Sequence, residues 1–116
     1  MENQKIKDYR ELSKEEIDLI NRIKTTGAEL LKLQQELTAR LDTDTEYKLA
    51  EACRSIKGME FEGRPYTVYS GSSKECDEYR RFEAAEPLRW AAIAKTDIQQ
   101  GIMALVRAIA QPETLC

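Results

Sequence analysis

The C-terminal third of the chain constrains the fold more than any other part. The run from Pro87 to Pro112, PLRWAAIAKTDIQQGIMALVRAIAQP, is rich in helix-forming residues and carries only four charges. Three of them are cationic, although the whole chain has a net charge of −3. An apolar helix must be buried against another element, and its cations then require anions. Those anions come either from the protein itself or from a ligand. The four charged residues are Arg89, Lys95, Asp97 and Arg107.

A first long helix is predicted over residues 13–41, about 40 Å of rod. Ser13 and Glu16 have the spacing of a capping box, which marks the N-terminus of a helix. Apolar residues then recur along a narrow seam as far as Leu41. Gly27 interrupts this pattern, and we expect another backbone or side chain to pack closely there. Asp42–Thr45 predicts a break in the helix.

The middle of the chain, residues 42–86, is predicted to form an insertion of mixed structure. A short helix is expected over Glu46–Lys57. The alternating residues Met59–Tyr69, divided by a Gly-Arg-Pro turn, favour a β-hairpin. Ser73 is then placed to cap a short helix across Lys74–Ala84.

These patterns predict a mainly α protein with a small β insertion, formed by one domain over residues 1–116. The first helix and a closing helix over residues 87–111 are expected to pack as an antiparallel helical hairpin. The apolar seam of the closing helix is wide for so small a domain, which favours a homo-oligomer. That seam contains Ala91, Ala94, Ile98, Leu105 and Ile109.

The composition argues against an enzyme. The chain has no histidine, the commonest general base and metal ligand near neutral pH. It also lacks GxGxxG, GxxxxGK(S/T), GxSxG and HExxH. We therefore expect no catalytic residue, no metal site and no cofactor. The net negative charge of the chain argues against binding to long nucleic acid.

The cysteines and the ends of the chain predict a cytoplasmic protein. Cys53, Cys76 and Cys116 form no CxxC pair and leave one unmatched, as expected for free thiols in a reducing compartment. The first residues contain no apolar signal region, and no run approaches the length of a membrane span.

Two clusters could bind an anionic small molecule that contains a base. The first combines Tyr9 and Arg10 with Lys24 and Thr26, because cations and hydroxyls suit phosphate and an aromatic ring suits a base. The alternative is that Lys24 is an ordinary exposed helix charge. The second cluster contains the adjacent Arg89 and Trp90, with Arg107 further along the same helix. There the alternative is an arginine that a protein carboxylate already satisfies.

A third cluster lies in the insertion, where guanidinium and aromatic groups suit a purine. The alternative is that these groups pack the small hairpin onto the helices. The cluster contains Arg64, Tyr66, Tyr69, Arg80, Arg81 and Phe82.

The chain also resembles a phage family of helical-hairpin anti-defence sponges. The resemblance rests on residues 9–31 and 87–112, with the string RWAAIAKT followed by GIMALVRA and QP. One branch of that family sequesters cyclic oligonucleotides of CBASS immunity. The other sequesters glycocyclic ADP-ribose of Thoeris immunity, and some members also take cyclic trinucleotides. The inserted residues make this chain more similar to the Thoeris branch, which implies a homohexamer with pockets between protomers and no catalysis.

The resemblance also implies ligand-binding residues. Tyr9 and Lys24 match positions that hold cyclic dinucleotides, and Thr26 and Arg89 match positions that hold cyclic trinucleotides. Arg107 matches the arginine that contacts glycocyclic ADP-ribose. Further contacts to that ligand are implied for Phe82, Arg54, Arg64 and Tyr66 of the insertion.

The sequence thus predicts a sponge for host nucleotide signals inside the infected bacterial cell. Two alternatives stay open: a sponge for cyclic oligonucleotides alone, and a helical structural oligomer without a ligand.

Overall fold

The computed structural model describes residues 10–112 and contains three α-helices and one two-stranded antiparallel sheet. This confirms the predicted class, mainly α with a small β insertion. The elements are α1 Lys14–Ser55, β1 Glu60–Phe61, β2 Arg64–Pro65, α2 Lys74–Ala85 and α3 Pro87–Ala110. The contacts divide the chain into two compact units. The first contains the described residues of Met1–Gln34 and Ile93–Cys116, and the second contains Gln35–Ala92.

The first unit is an antiparallel hairpin of α1 and α3. The Nη2–H of Arg10 donates to the carbonyl oxygen of Ile109 at 2.6 Å, and Gly27 lies against Ile102 further along the hairpin. A Cβ added to Gly27 would lie 2.7 Å from Cγ1 of Ile102 and closer still to Cδ1. The close approach predicted at Gly27 is therefore confirmed.

The first unit buries little of its apolar surface. Within residues 10–34 and 93–112, Ile20 and Ala110 are the buried apolar side chains. Larger apolar side chains of the same unit remain about half exposed or more. These are Leu19 (43%), Leu30 (48%), Leu33 (60%), Met103 (70%) and Leu105 (54%).

Helix α1 is longer than predicted. The expected break at Asp42–Thr45 is wrong, and the expected helix over Glu46–Lys57 is largely the end of α1. Thr43 Oγ1 donates to the carbonyl of Ala39 at 3.2 Å, and Thr45 Oγ1 donates to that of Leu41 at 2.7 Å. Because these hydroxyls donate to carbonyls one turn back, they are satisfied within the helical conformation and do not end the helix.

The β-hairpin is confirmed, but it is shorter than predicted, and its turn was predicted wrongly because Arg64 and Pro65 form β2. Phe61 pairs with Arg64 across a two-residue loop, Glu62-Gly63. Both loop residues have positive φ, 52° and 77°, as a type I′ turn requires. The second half of the predicted stretch leaves the sheet and turns at Thr67, whose carbonyl accepts from the amide of Gly71 at 2.8 Å.

The second unit has a buried core between the end of α1 and α2. The amide of Cys76 donates to Ser73 Oγ at 3.0 Å, which confirms Ser73 as the cap of α2. Cys53 and Cys76 are free thiols, and Cys116 lies outside the described residues. The core consists of Ala52, Ile56, Val68, Cys76 and Tyr79, with Tyr66 packed against it.

Helix α3 has nearly the bounds that the two prolines predict. Glu86, with φ 50°, separates α2 from α3, and Gln111, with φ 47°, follows the last helical residue. The amide of Gln111 donates to the carbonyl of Arg107 at 2.8 Å and closes the final turn. None of the helices described has the length and hydropathy of a membrane span.

Two mid-helix glycines give a test of this packing. Alanine is about 1 kcal/mol better than glycine in a helix interior. At Gly101 nothing lies within 4 Å of an added Cβ, so Gly101→Ala should raise the free energy of unfolding by about that amount. At Gly27 the added methyl meets Ile102, and overpacking costs ~1–3 kcal/mol. We expect Gly27→Ala to be the less stable of the two variants by urea unfolding. Equal stabilisation by both would contradict the close packing.

Candidate ligand-binding site

A cavity of about 360 Å³ in the first unit brings Lys24 and Arg107 together. Both side chains are exposed, and neither has a carboxylate partner within residues 10–112. Two cations that line one cavity favour an anion there, because their positive potentials add. The remaining lining is Ile102, Met103, Ala104, Val106, Ala110 and Pro112.

A neighbouring cavity of the same unit, about 740 Å³, contains Thr26 and Arg22. Thr26 therefore does not line the cavity of Lys24, although the resemblance implies that both hold cyclic oligonucleotides. Sequence analysis did not single out Arg22. Its spacing of four residues from Thr26, which puts both on one face of α1, is the signal that could have found it. The other lining residues are Leu19, Ile23, Gly27, Leu30, Ile98, Gly101, Ile102, Ala104 and Leu105.

The predicted site residue Tyr9 lies outside the residues that the structure describes. Arg10, its neighbour in the chain, forms an ion pair with Glu16. The protein therefore balances the charge of Arg10 itself. The sequence had predicted that Arg10 binds phosphate together with Lys24. Glu16 also completes the predicted capping box. Its amide donates to Ser13 Oγ at 3.1 Å, and the Ser13 amide donates to Glu16 Oε1 at 2.9 Å.

Arg89 also has an anion of its own. Its Nη1 lies 3.1 Å from Glu86 Oε2, and its guanidinium carbon lies 5.7 Å from the centroid of the Trp90 ring. Both Arg89 and Trp90 are well exposed, so the pair is a surface cation–aromatic contact. An exposed ion pair contributes little to stability and leaves Arg89 able to exchange Glu86 for a phosphate.

The insertion residues assigned to glycocyclic ADP-ribose lie in the second unit, whereas Arg107 lies in the first. Phe82 is buried, and the Lys48 ammonium lies 5.5 Å from its ring centroid. Arg54 is paired with Glu51 at the end of α1. These contacts show Phe82 as a packing residue of the single chain, and its contact with a ligand stays a prediction.

Tyr66 and Arg64 have different surroundings. Tyr66 is half-buried and lines a cavity of about 430 Å³ with Cys53 and Val68, among others. Arg64 is exposed on β2, without an ion pair in the described part of the chain. Arg54, Arg64 and Phe82 do not line the cavity of Tyr66.

The remaining residues of the third cluster fasten a loop to α2. Arg80 donates to the carbonyls of Val68 and Gly71, each at 2.7 Å. Glu83 accepts from the hydroxyls of Tyr69, at 3.0 Å, and Tyr79, at 2.9 Å. The bond to Glu83, together with burial, raises the pKa of Tyr79 to about 12. The sequence predicted that Tyr69 and Arg80 bind a purine. In the structure their polar groups bond to the protein and hold the loop against α2.

Metal binding finds no support in the part of the chain described. No group of three histidine, cysteine, aspartate or glutamate residues within 10–112 could hold a metal ion. The chemistry that the arrangement offers is instead electrostatic: two cations on an apolar wall, and next to them a larger apolar cavity with a hydroxyl and a guanidinium.

Comparison with known proteins identifies a family and a close relative. The model of the Acb2/Tad1 hairpin domain family matches residues 1–110. Anti-CBASS protein 2 of Pseudomonas phage JBD67 is 61% identical over 115 residues, which cover 97% of this chain and 98% of the relative. The match therefore includes the insertion as well as the two hairpin helices.

The ion pair of Arg10 predicts a specific dependence of stability on pH. The hydrogen bond from Arg10, and then the amide of Ser13, lower the pKa of Glu16 to about 2. The unfolded chain therefore binds more protons between about pH 2 and pH 4.5, and stability falls as pH falls through that window. The difference in free energy of unfolding between wild type and Glu16→Gln should be constant above about pH 5 and shrink toward pH 2.

Urea unfolding at several pH values measures this difference. Glu15→Gln removes an exposed carboxylate from the same helical turn and serves as the control. A difference for Glu16→Gln that does not change between pH 2 and 5 would contradict the role given to its ion pair.

Proposed function

The chain belongs to the Acb2/Tad1 hairpin family, and we propose that it is a phage anti-defence protein that sequesters nucleotide immune signals without cleaving them. The observation that carries this proposal is the cavity in which Lys24 and Arg107 lie without a protein carboxylate. The phosphates of a nucleotide signal supply the missing anions. The protein acts in the cytoplasm of the infected host cell, where such signals are made.

The name of the relative favours signals of CBASS immunity, which are cyclic oligonucleotides. That relative is covered over 98% of its length, so the insertion is compatible with an anti-CBASS protein. Glycocyclic ADP-ribose and cyclic trinucleotides are further proposed ligands, supported by the match of Arg107 to the arginine of the Thoeris branch. Both ligand classes carry phosphates, and the cation pair suits either of them.

Sequestration requires tight binding, since the sponge competes with the effector that the signal activates. An affinity near nanomolar corresponds to about −12 kcal/mol. Arginine can donate two parallel hydrogen bonds to a phosphate, and such bonds are about twice as strong as neutral ones. A second protomer packed over the apolar wall beside Arg107 would strengthen them further by excluding water.

Assembly into a homo-oligomer is supported by the exposed apolar surface of the first unit, and the resemblance to the sponge family implies a hexamer. That unit has Ile20 and Ala110 as its buried apolar side chains, within the residues described, while Leu30 and Leu105 line an open cavity and are about half exposed. A second copy of the chain packed there would bury these leucines at about 25 cal/mol per Å². Ligand pockets bounded by two protomers would then couple binding to assembly.

Substitution of Arg107 separates a sponge from a ligand-free structural oligomer. Arg107 is exposed and lacks an ion pair within residues 10–112, so Arg107→Ala should change the free energy of unfolding by less than about 0.5 kcal/mol. Its affinity for the ligand should fall at least thirtyfold, because truncating one partner of a desolvated charge pair costs ~2–5 kcal/mol.

Calorimetry measures this effect in separate titrations with a cyclic dinucleotide, a cyclic trinucleotide and glycocyclic ADP-ribose. Arg40→Ala is the control, since it removes an equally positive, exposed side chain outside both cavities. If the wild type binds none of the three ligands, the proposed sequestration is wrong. An Arg107→Ala protein that is clearly less stable than the wild type, yet binds the ligand with unchanged affinity, would indicate a structural arginine. Mass spectrometry of ligand released by heat tests turnover, and we expect the ligand chemically unchanged.

The proposed assembly predicts that Leu105→Glu gives a smaller particle. A carboxylate at the position of a half-exposed leucine leaves the single chain nearly unaffected but would be buried in an interface on this cavity. Light scattering measures the mass of each variant. Tyr47→Glu, at an exposed aromatic residue of the second unit, is the control. A wild-type monomer would contradict assembly, and an unchanged mass for Leu105→Glu would contradict this interface.

A further inference from the structure

We propose that Arg10 and Glu16 are positioning residues for Arg107, and that they act by holding the last turn of α3 against the start of α1. The inference rests on the proposed function, in which Arg107 binds the ligand. It is carried by one side chain, Arg10, that contacts both helices of the hairpin where α1 begins and α3 ends. Its guanidinium is ion-paired with Glu16, and its Nη2–H donates to the carbonyl of Ile109, ninety-nine residues away.

The last turn of a helix needs such a contact. The final carbonyls of an α-helix have no partner within the helix, and an unsupported last turn frays. Arg107 lies in the last turn of α3. The amide of Gln111 binds the carbonyl of Arg107, and Arg10 binds the carbonyl of Ile109. A cation at this end of a helix is also favoured by the helix dipole.

Glu16 fixes the other end of the contact. One of its oxygens, Oε1, accepts from the amide of Ser13 at 2.9 Å and from Nη1–H of Arg10 at 3.2 Å. The carboxylate thus caps α1 and orients Arg10 at the same time. Because Lys24 lies on α1 and Arg107 on α3, a contact between the two helices restricts the separation of the two cations that face the ligand.

Direct binding of the ligand by Arg10 is the competing explanation. Both terminal nitrogens of Arg10 are occupied by Glu16 and Ile109, so its charge is already balanced. Its Nε–H, however, is buried and has no acceptor within residues 10–112. An experiment must therefore distinguish a residue that acts through Arg107 from one that touches the ligand.

A double-mutant cycle makes this distinction. Arg10→Ala should weaken binding about tenfold, the loss of roughly one charge-assisted hydrogen bond that orders Arg107. In an Arg107→Ala background, the same change should weaken binding less than about twofold, because nothing is left to position. Calorimetry with glycocyclic ADP-ribose and with a cyclic dinucleotide, in separate titrations, measures the four affinities. Losses that multiply in the double variant would overturn the proposal in favour of direct contact.

The Glu16→Gln substitution is a second, independent test of the positioning role. Glutamine at this position preserves the capping box, since its side chain can still accept from Ser13. The substitution removes the charge that orients Arg10. Positioning predicts severalfold weaker binding. Direct contact predicts stronger binding, because Arg10 would be released toward the phosphates. Glu15→Gln is the matched control in the same turn and should leave the affinity unchanged.

The outcomes also separate this inference from the proposed function. If the wild type binds neither ligand, the proposed function fails before the cycle begins. If the wild type binds, Arg107→Ala loses binding and Arg10→Ala does not, the proposed function stands and the positioning role is wrong. Unfolding midpoints for every variant show whether a change in affinity reflects loss of fold, and Arg10→Lys keeps the charge if Arg10→Ala does not fold.

Discussion

The contact between Gly27 and Ile102 determines the geometry of the first unit. A Cβ at Gly27 would overlap the Ile102 side chain, so α3 approaches α1 at this point more closely than any other residue would allow. Lys24 lies about one turn before the contact, and Arg107 lies in the last turn of α3 beyond it. Ile102 lines both cavities of the unit. The residue that contacts Gly27 is therefore part of the lining of both the cationic cavity and the larger apolar one.

The two units differ in how they are stabilised. The second has a core in which Ala52 and Cys76 are completely buried, and a loop fastened by Arg80. The first has few buried side chains among the residues described, yet it holds the cation pair. A hairpin with half-exposed leucines gains stability from whatever covers them, and a ligand or a second copy therefore contributes to its folding free energy by mass action. The exposed surface that leaves the first unit weakly packed is also the surface on which assembly is proposed.

Local signals in the sequence predicted the local structure well. The capping box of Ser13, the cap at Ser73, the close approach at Gly27 and the two prolines around α3 each act within a few residues, and the structure confirms them. The break at Asp42–Thr45 was wrong because its threonines bond within the helix, a choice that residue type alone does not decide.

Non-local contacts could not be predicted. The partner of Arg10 on α3 is ninety-nine residues away, and the contact depends on the register of the hairpin. The packing of Phe82 beside Lys48 likewise depends on how α2 lies on the end of α1. A pattern of residue types predicts which side chains suit a ligand, but the tertiary fold decides which of them the protein itself already satisfies.

The cations of α3 differ in whether the protein supplies their anions. Arg89 has a carboxylate one turn away, and its exposed pair with Glu86 can be exchanged at little cost. Arg107 has the helix dipole in its favour but no carboxylate within residues 10–112, and it faces Lys24 across an apolar lining. The protein neutralises Arg10, Arg54 and Arg80 with its own acids, but it gives Lys24 and Arg107 no carboxylate within residues 10–112. The anion-binding site proposed above uses two of the cations that the described part of the protein leaves without a carboxylate.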